Sequence, residues 1–139
     1  MPTFRCEVLT PYRRLFDGEV VGVHFVTYDG EMEILAGHEP IVAPVSPCVL
    51  RLDLPEGRKL AAATEGLTVI TPDRMQVFLD TAEWVTDIDR KRAEDSLARA
   101  QTRLAEGAMS WETTRARAAA ARARARLATL AAAAQQRGD

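Results

Sequence analysis

The sequence predicts an α+β protein, in which a β-rich body of residues 1–86 precedes a helical hairpin of residues 87–139. In the body, short extended runs alternate apolar and polar side chains between frequent turn formers. The second part contains no proline, and alanine and leucine recur there at helical spacing. Charge divides the chain at the same point: the body has 7 basic and 13 acidic side chains, net −6, and the hairpin has 11 basic and 7 acidic, net +4. The two parts are therefore built for different surroundings.

The body is predicted to hold seven extended runs. Leu50, Leu52 and Leu54 alternate with Arg51 and Asp53, a period near two that turns one face of the run into a core. Many short strands with frequent turns favour a β-sandwich or a barrel. The turn signals are Asp17-Gly18, Asp29-Gly30, Pro55-Glu56-Gly57 and Pro72-Asp73. The runs are Phe4–Thr10, Glu19–Tyr28, Ile41–Val45, Val49–Leu54, Lys59–Thr64, Leu67–Thr71 and Met75–Asp80.

Two cysteines, Cys6 and Cys48, are present. Cys6 shares the inward face of its run with Phe4 and Val8, so we expect both thiols to be reduced and buried as small apolar groups. No apolar stretch approaches the roughly 20 residues needed to span a bilayer, and the first residues lack the apolar segment of a signal peptide. Membrane association is therefore expected only through a partner.

The second part is predicted to form two antiparallel helices joined by a turn at Gly107–Ser110, with Ser110 as an N-cap and Glu112 in the first turn that follows. Each helix has one narrow apolar stripe. An alanine-rich stripe buries little apolar area, so we expect a weakly anchored hairpin that is able to move. The stripes are Ala93, Leu97, Ala100 and Leu104, and then Ala116, Ala120, Ala123, Leu127, Leu130 and Ala134.

Arginines flank these stripes in rows. On a helical wheel Arg115, Arg122 and Arg126 fall within roughly 40° of one another. Arg117 and Arg124 lie on the other flank, and the first helix has the row Arg92, Arg99 and Arg103. A solvated face and an anionic partner both account for such rows. In a folded hairpin the rows would lie side by side, which is unfavourable unless a nucleotide phosphate or an acidic protein segment lies between them.

The stretch DGEMEILAGHEP, Asp29–Pro40, is predicted to be an exposed contact surface. Gly30 and Gly37 permit the positive φ of tight turns, and a polar rim lies between and beside them. One histidine without a second His or Cys gives an incomplete metal shell, and the stretch holds no Ser or Cys for that histidine to activate. We therefore expect no metal site and no catalytic residues. The rim consists of Glu31, Glu33, His38 and Glu39.

Three motifs together resemble the ε subunit of bacterial rotary F-type ATP synthases. They are TPYRRLFDGEV (Thr10–Val20), DGEMEILAGHEPIVAPV (Asp29–Val45) and DIDRKRAEDSLARA (Asp87–Ala100). The resemblance implies a regulatory subunit without catalytic residues, peripheral on the cytoplasmic face of the bacterial cell membrane. Its ten-stranded β-sandwich would bind the γ subunit and rest against the c ring, with Glu31 and His38 at the end of the sandwich that faces these rotor partners.

The resemblance also implies a switch in the hairpin. Its compact state lies on the sandwich, and its extended state reaches into the catalytic αβ hexamer. There the basic second helix would meet an acidic segment of a β subunit and inhibit ATP hydrolysis. The positions matching the basic residues of that helix are Arg115, Arg122 and Arg126.

In some bacteria the folded hairpin of this subunit binds ATP as a regulatory ligand, and no cofactor is required. The matching motif here begins at Ile88 and Asp89, and the same motif in many ε subunits has only a structural role at the start of the helix. Both roles stay open. By resemblance the candidate ATP-binding residues are Glu83, Ile88, Asp89, Arg92, Ala93, Arg99, Arg122 and Arg126.

Three positions depart from the family pattern: Glu33 and Ala36 in the second motif, and Glu65 before Gly66-Leu67. Two alternative functions are a freestanding nucleotide sensor and a nucleic-acid adaptor. Trp111 alone could stack a base in the basic part, and the acidic body would repel a phosphate backbone, so no nucleic-acid partner is expected.

Overall fold

The computed structural model describes residues 1–107 and 110–138. Within them, ten strands precede two helices, with a short 3-10 turn at Val85–Asp87 in between. This confirms the predicted fold class. The strands are β1 (Phe4–Leu9), β2 (Arg14–Val20), β3 (Gly22–Thr27), β4 (Gly30–Leu35), β5 (Ile41–Val45), β6 (Cys48–Leu54), β7 (Gly57–Ala63), β8 (Gly66–Ile70), β9 (Arg74–Leu79) and β10 (Ala82–Trp84), and the helices are α1 (Arg90–Ala105) and α2 (Ser110–Gly138).

The strands form two five-stranded sheets. Sheet A has the order β2-β1-β9-β8-β5 and sheet B the order β10-β7-β6-β3-β4, and β1 with β9 is the parallel pair. The alternation predicted for β6 is confirmed, because Leu50 and Leu52 are fully buried between the sheets while Arg51 and Asp53 lie on the outer face. The largest fully buried side chains are Phe25, Leu50, Leu52, Ile70 and Met75.

The sequence analysis did not predict β2, β4 and β10 as separate strands. The turn predicted at Asp17-Gly18 is wrong, because Gly18 lies inside β2, where a Cβ would meet the Phe16 ring at 3.2 Å. The ring therefore fills the space that the missing side chain leaves. The stretch predicted to be a contact loop contains β4, an edge strand that pairs with β3 and turns its glutamates outward. The third strand, β10, has only three residues, too few for a periodic pattern.

Both cysteines are free and buried, as predicted. Burial, reinforced by the Glu7 and Asp17 charges, raises the pKa of the Cys6 thiol to about 12. Burial also raises the pKa of Cys48 to about 11, although a hydrogen bond with the Val26 backbone opposes the change.

The first helix begins at an N-cap. The Asp89 carboxylate accepts a hydrogen bond from the Arg92 backbone N–H at 3.1 Å. At the other end of α1, Gly107 has a φ of 66°. The second helix begins at Ser110 with Glu112 in its first turn. The predicted Gly107–Ser110 turn includes residues 108 and 109, which lie outside the described part of the chain.

The two helices differ in length, with 16 residues in α1 and 29 in α2. Because α2 is longer, it contacts α1, β6 and β7. The predicted stripe holds for Ala116, Ala120 and Ala123, which are buried, but the prediction for Ala134 was wrong because this residue is exposed. A second stripe that the sequence analysis missed is buried instead, at Ala125, Thr129 and Ala133.

The described helices include none with the length and apolar character needed to cross a membrane.

Candidate functional site: the seam between hairpin and sandwich

The hairpin is folded onto the outer face of sheet B, and small residues form the apolar part of this seam. On β7, Leu60 and Ala62 are each 4% exposed although they point away from the sandwich interior. On α2, Ala125 and Ala133 are each 5% exposed. Methyl groups allow the helix backbone to come close but bury little area apiece. The seam is lined by alanine, as the sequence predicts for the hairpin, but its α2 residues belong to the stripe that the sequence analysis missed.

Two ion pairs complete the seam. The Arg122 guanidinium donates to Glu65 Oε1 from Nε at 2.9 Å and from Nη2 at 2.5 Å. One helical turn later Arg126 donates from Nε to Glu83 Oε1. All four side chains are between 30% and 40% exposed. These are charge-assisted hydrogen bonds at the edge of a contact, partly shielded from water.

The backbone of the sandwich fixes the two carboxylates. The Glu65 carbonyl accepts from the Asp80 N–H at 3.0 Å. At Gly66, a Cβ would lie 2.0 Å from the Phe78 carbonyl oxygen, so only glycine fits there. Glu83 lies on β10 opposite Ala62 of β7. Glu83 therefore projects from a paired strand and Glu65 from the short β7–β8 connection, and α2 docks with its arginines opposite them.

A cleft of about 360 Å³ opens beside the Arg126–Glu83 pair, between the sandwich and the start of α1. Three acids and two arginines line it, so the formal charge of its lining is −1 before any ligand enters. Five of the eight predicted ATP-binding residues lie here, namely Glu83, Asp89, Arg92, Ala93 and Arg126, together with Thr81, Asp87 and Ser96.

The other three predicted ATP-binding residues do not line this cleft. The half-buried Ile88 donates its backbone N–H to the Val85 carbonyl. Arg99 is exposed and donates to Ser96 Oγ at 3.1 Å. Arg122 is paired with Glu65. In the folded hairpin, carboxylates of the sandwich rather than a nucleotide phosphate pair with Arg122 and Arg126.

The three arginines of the predicted inhibitory contact are not together in the folded hairpin. Arg115 is exposed and lines a separate cleft near the hairpin tip, beside Arg103 and Trp111. Arg122 and Arg126 lie further along α2 and face the sandwich. In the folded hairpin Arg115 is therefore accessible to a partner, whereas Arg122 and Arg126 are paired with carboxylates of the sandwich.

The two predicted rotor contacts lie at opposite ends of β4. Glu31 pairs with Val26 near the β3–β4 turn, and its side chain is 76% exposed. His38 follows the far end of β4 and packs edge-on against Phe4, with ring centroids 5.0 Å apart. The expectation that they share one end of the sandwich was therefore wrong. Their contact with a rotor stays a prediction.

Glu65 is the residue of the seam that sequence reasoning missed. The sequence shows it only as a departure from the family pattern, because nothing local marks a carboxylate as the partner of an arginine 57 positions later. The signal that could have found it is the sequence neighbour Gly66, which marks a close backbone approach and hence a fixed position.

Fold and seam together define a class of two-part proteins, in which a basic helical hairpin packs on the outer face of a β-sandwich through small residues and ion pairs. Two family models match this chain: "ATP synthase, Delta/Epsilon chain, beta-sandwich domain" at residues 3–85 and "ATP synthase, Delta/Epsilon chain, long alpha-helix domain" at residues 86–131. The chain belongs to the delta/epsilon chain family of ATP synthases.

Curated relatives carry the epsilon name. The ATP synthase epsilon chain of Ruminiclostridium cellulolyticum is 43% identical over 118 residues, covering 84% of this chain and 87% of the relative. That of Halalkalibacterium halodurans is 35% identical over 106 residues, covering 76% and 80%. The resemblance that the three sequence motifs indicate is thereby confirmed.

Solved structures share the fold at low identity. A chain in the cryo-EM structure of the Euglena gracilis mitochondrial ATP synthase, OSCP/F1/c-ring, matches with a TM-score of 0.82 at 18% identity, covering 94% of this chain and 83% of that one. A chain of the Tetrahymena thermophila mitochondrial ATP synthase central stalk/c-ring matches with a TM-score of 0.60 at 14% identity, covering 93% and 97%.

Proposed function

We propose that this chain is the regulatory ε-type subunit of the central stalk of a bacterial F-type ATP synthase. The sandwich binds γ and the c ring, and the hairpin inhibits ATP hydrolysis when it leaves the sandwich. The observation that carries this proposal is the pairing of Arg122 and Arg126 with Glu65 and Glu83. Two of the three arginines for the acidic segment of β are occupied in the folded state, so inhibition requires opening.

An exposed apolar surface on sheet A supports a protein partner for the sandwich. Leu67 lies opposite Phe78 and Pro44 on neighbouring strands, and Leu67 and Phe78 are 43% and 41% exposed. On the same face Val42 is 62% exposed. Clustered apolar side chains on an outer face mark protein interaction sites. We assign this face to γ, the partner that the ε resemblance implies for the sandwich.

Truncation tests the division of labour. An ATP synthase assembled with residues 1–86 of this chain should retain γ and should hydrolyse ATP faster than the complex with the full chain. Arg115→Ala in the full chain, at an arginine that does not contact the sandwich in the folded hairpin, should release part of the inhibition. Glu56→Ala, an exposed change in the β6–β7 turn, should leave it unchanged. Loss of γ from the truncated complex would contradict the assignment of γ to the sandwich.

The cleft beside Arg126 is the place we propose for ATP as a regulatory ligand. Its volume of about 360 Å³ lies within the usual range for small-molecule sites. Arg92 and Arg126 could hold phosphate oxygens, and Thr81 and Glu83 offer polar atoms to an adenine edge. Because the cleft spans both parts of the chain, bound ATP would favour the folded hairpin.

Thermal unfolding of the isolated chain tests this site. Millimolar ATP should raise the melting temperature, and Arg126→Ala should abolish the rise. Asp89 needs a matched pair of variants, because it also caps α1. Asp89→Asn keeps a capping side chain, whereas Asp89→Ala costs about 1 kcal/mol of helix stability without any ligand. An unchanged melting curve with ATP removes the ligand from the proposal.

A further inference from the structure

The Arg122–Glu65 pair is a contact that a ligand would have to displace. Nε and Nη2 of Arg122 both donate to Glu65 Oε1, at 2.9 and 2.5 Å. A phosphate group would use the same edge of the guanidinium, because carboxylate and phosphate oxygens accept the same forked hydrogen bonds. The carboxylate thus occupies the position that a phosphate oxygen would take at Arg122.

Glu65 is held in place before any ligand arrives. Its carbonyl is hydrogen-bonded to Asp80, and the close approach of Gly66 to Phe78 leaves the backbone little freedom. Only the side chain can move, and it is 33% exposed. A preorganised acceptor loses less conformational freedom on pairing than a mobile one, so it competes well with a ligand from solution.

The Arg126–Glu83 pair differs from the Arg122–Glu65 pair in its position relative to the cleft. Glu83 and Arg126 both line the cleft of about 360 Å³, so a ligand in that cleft reaches them directly. Glu65 and Arg122 lie outside the lining of that cleft. Recruiting Arg122 to a ligand therefore requires that Arg122 first leaves Glu65.

We infer that Glu65 is the residue that sets the ligand response of this seam: its carboxylate stands in for a ligand phosphate at Arg122 and holds the hairpin on the sandwich without a nucleotide. The part of this inference that concerns ligands rests on the proposed function. Two consequences are distinct. Removal of the Glu65 charge loosens the folded hairpin, and it also frees Arg122 for a phosphate-bearing ligand.

Thiol labelling measures the first consequence. Ala125→Cys places a reactive thiol in the seam, at a position 5% exposed, and Ala131→Cys gives an exposed reference on the same helix. The native Cys6 is buried in the sandwich core and reacts slowly, so it reports whether the sandwich stays folded. Cys48 is also buried but lines the groove beside α2, so it is replaced by alanine in every labelled protein. In the Ala125→Cys protein, labelling requires opening of the hairpin, and its rate follows the open population.

Glu65→Gln should raise the labelling rate at position 125 roughly two- to fivefold, as expected for loss of one partly exposed ion pair. Arg122→Gln should give a similar increase, and the double variant should exceed neither single variant, because both changes remove one interaction. The control Glu56→Gln makes the same change at an exposed turn and should have no effect. An unchanged labelling rate for Glu65→Gln, or single effects that add in full, would contradict the inference that the Glu65–Arg122 pair holds the hairpin on the sandwich.

ATP titration measures the second consequence. If ATP slows labelling at position 125, Glu65→Gln should lower the ATP concentration for half-maximal protection roughly two- to fivefold. In the Arg122→Gln background the Glu65→Gln change should have no effect, since competition acts through Arg122. If Glu65→Gln still lowers the half-maximal ATP concentration in the Arg122→Gln background, the effect comes from general charge repulsion. That result would contradict competition between Glu65 and ATP for Arg122.

The two proposals fail in different ways. If ATP protects neither the wild type nor Glu65→Gln, the proposed nucleotide site is wrong. Faster labelling of Glu65→Gln without ATP would still show that Glu65 holds the hairpin on the sandwich. ATP that protects both proteins at the same concentration would keep the nucleotide site and overturn the competitive role of Glu65.

Discussion

The two faces of strand β6 show how differently this chain packs. On the inner face Leu50 and Leu52 are fully buried against sheet A. On the outer face Val49 and Arg51 are only half-buried and lie beside α2 along a groove of about 630 Å³. Large buried side chains bind the sheets together, whereas methyl groups and two ion pairs bind the hairpin. Sheet B therefore contacts sheet A through more apolar area per residue than it contacts the hairpin.

The largest expected effect lies on the inner face. Leu52→Ala removes a fully buried side chain and should lower the free energy of unfolding by about 2–5 kcal/mol. Urea unfolding of the isolated chain measures this. The control Val42→Ala, at a side chain 62% exposed, should change stability by less than about 0.5 kcal/mol. Equal losses from both substitutions would mean that the free energy of unfolding does not depend on burial between the sheets.

A smaller effect should follow from overfilling the outer face. Ala125→Leu inserts a larger side chain into the seam and should weaken hairpin docking by about 1–3 kcal/mol. Amide hydrogen exchange should then accelerate in the C-terminal half of α2 and stay slow in β6 and β7. Ala131→Leu, on an exposed position of the same helix, is the matched control. Faster exchange throughout the sandwich would show that the two regions unfold together.

The smallest expected effect is that of the two buried thiols on the free energy of unfolding. It is absent at neutral pH and develops only at alkaline pH. Because burial raises the pKa of Cys6 to about 12 and of Cys48 to about 11 from an ordinary 9.0, the unfolded chain loses thiol protons first. The folded state then binds more protons than the unfolded state, so the free energy of unfolding falls as pH rises from 9 towards 12. Below pH 9 this contribution to stability is fully present.

At pH 10 the loss should be about 1 kcal/mol per thiol. Urea unfolding at pH 8, 9 and 10 measures it, and the Cys6→Ala, Cys48→Ala double variant isolates the thiols from other groups that titrate in this range. The wild type should lose more stability between pH 8 and 10 than the double variant. Parallel losses in the two proteins would assign the alkaline effect to other side chains.

Prediction from sequence succeeded where a pattern is local. The alternation in β6 and the spacing of Ala93 and Ala100 identified buried positions, because the period of a strand or helix places neighbouring side chains on one face. It failed for β2 and β4. A glycine covered by Phe16 inside β2 resembles a turn, and the outward glutamates of β4 resemble a loop, until the partner strands are known.

The sequence by itself determined an acidic sandwich followed by a basic, alanine-lined hairpin, because composition, charge and periodicity are properties of neighbouring residues. Only the tertiary structure decided which carboxylates meet which arginines. Glu65 and Arg122 are 57 positions apart and Glu83 and Arg126 are 43 apart, and their meeting depends on the rotation and depth at which α2 lies on sheet B. The second buried stripe, Ala125, Thr129 and Ala133, was settled by the same docking. A helical wheel gives the relative angles of side chains but not the direction from which a partner approaches.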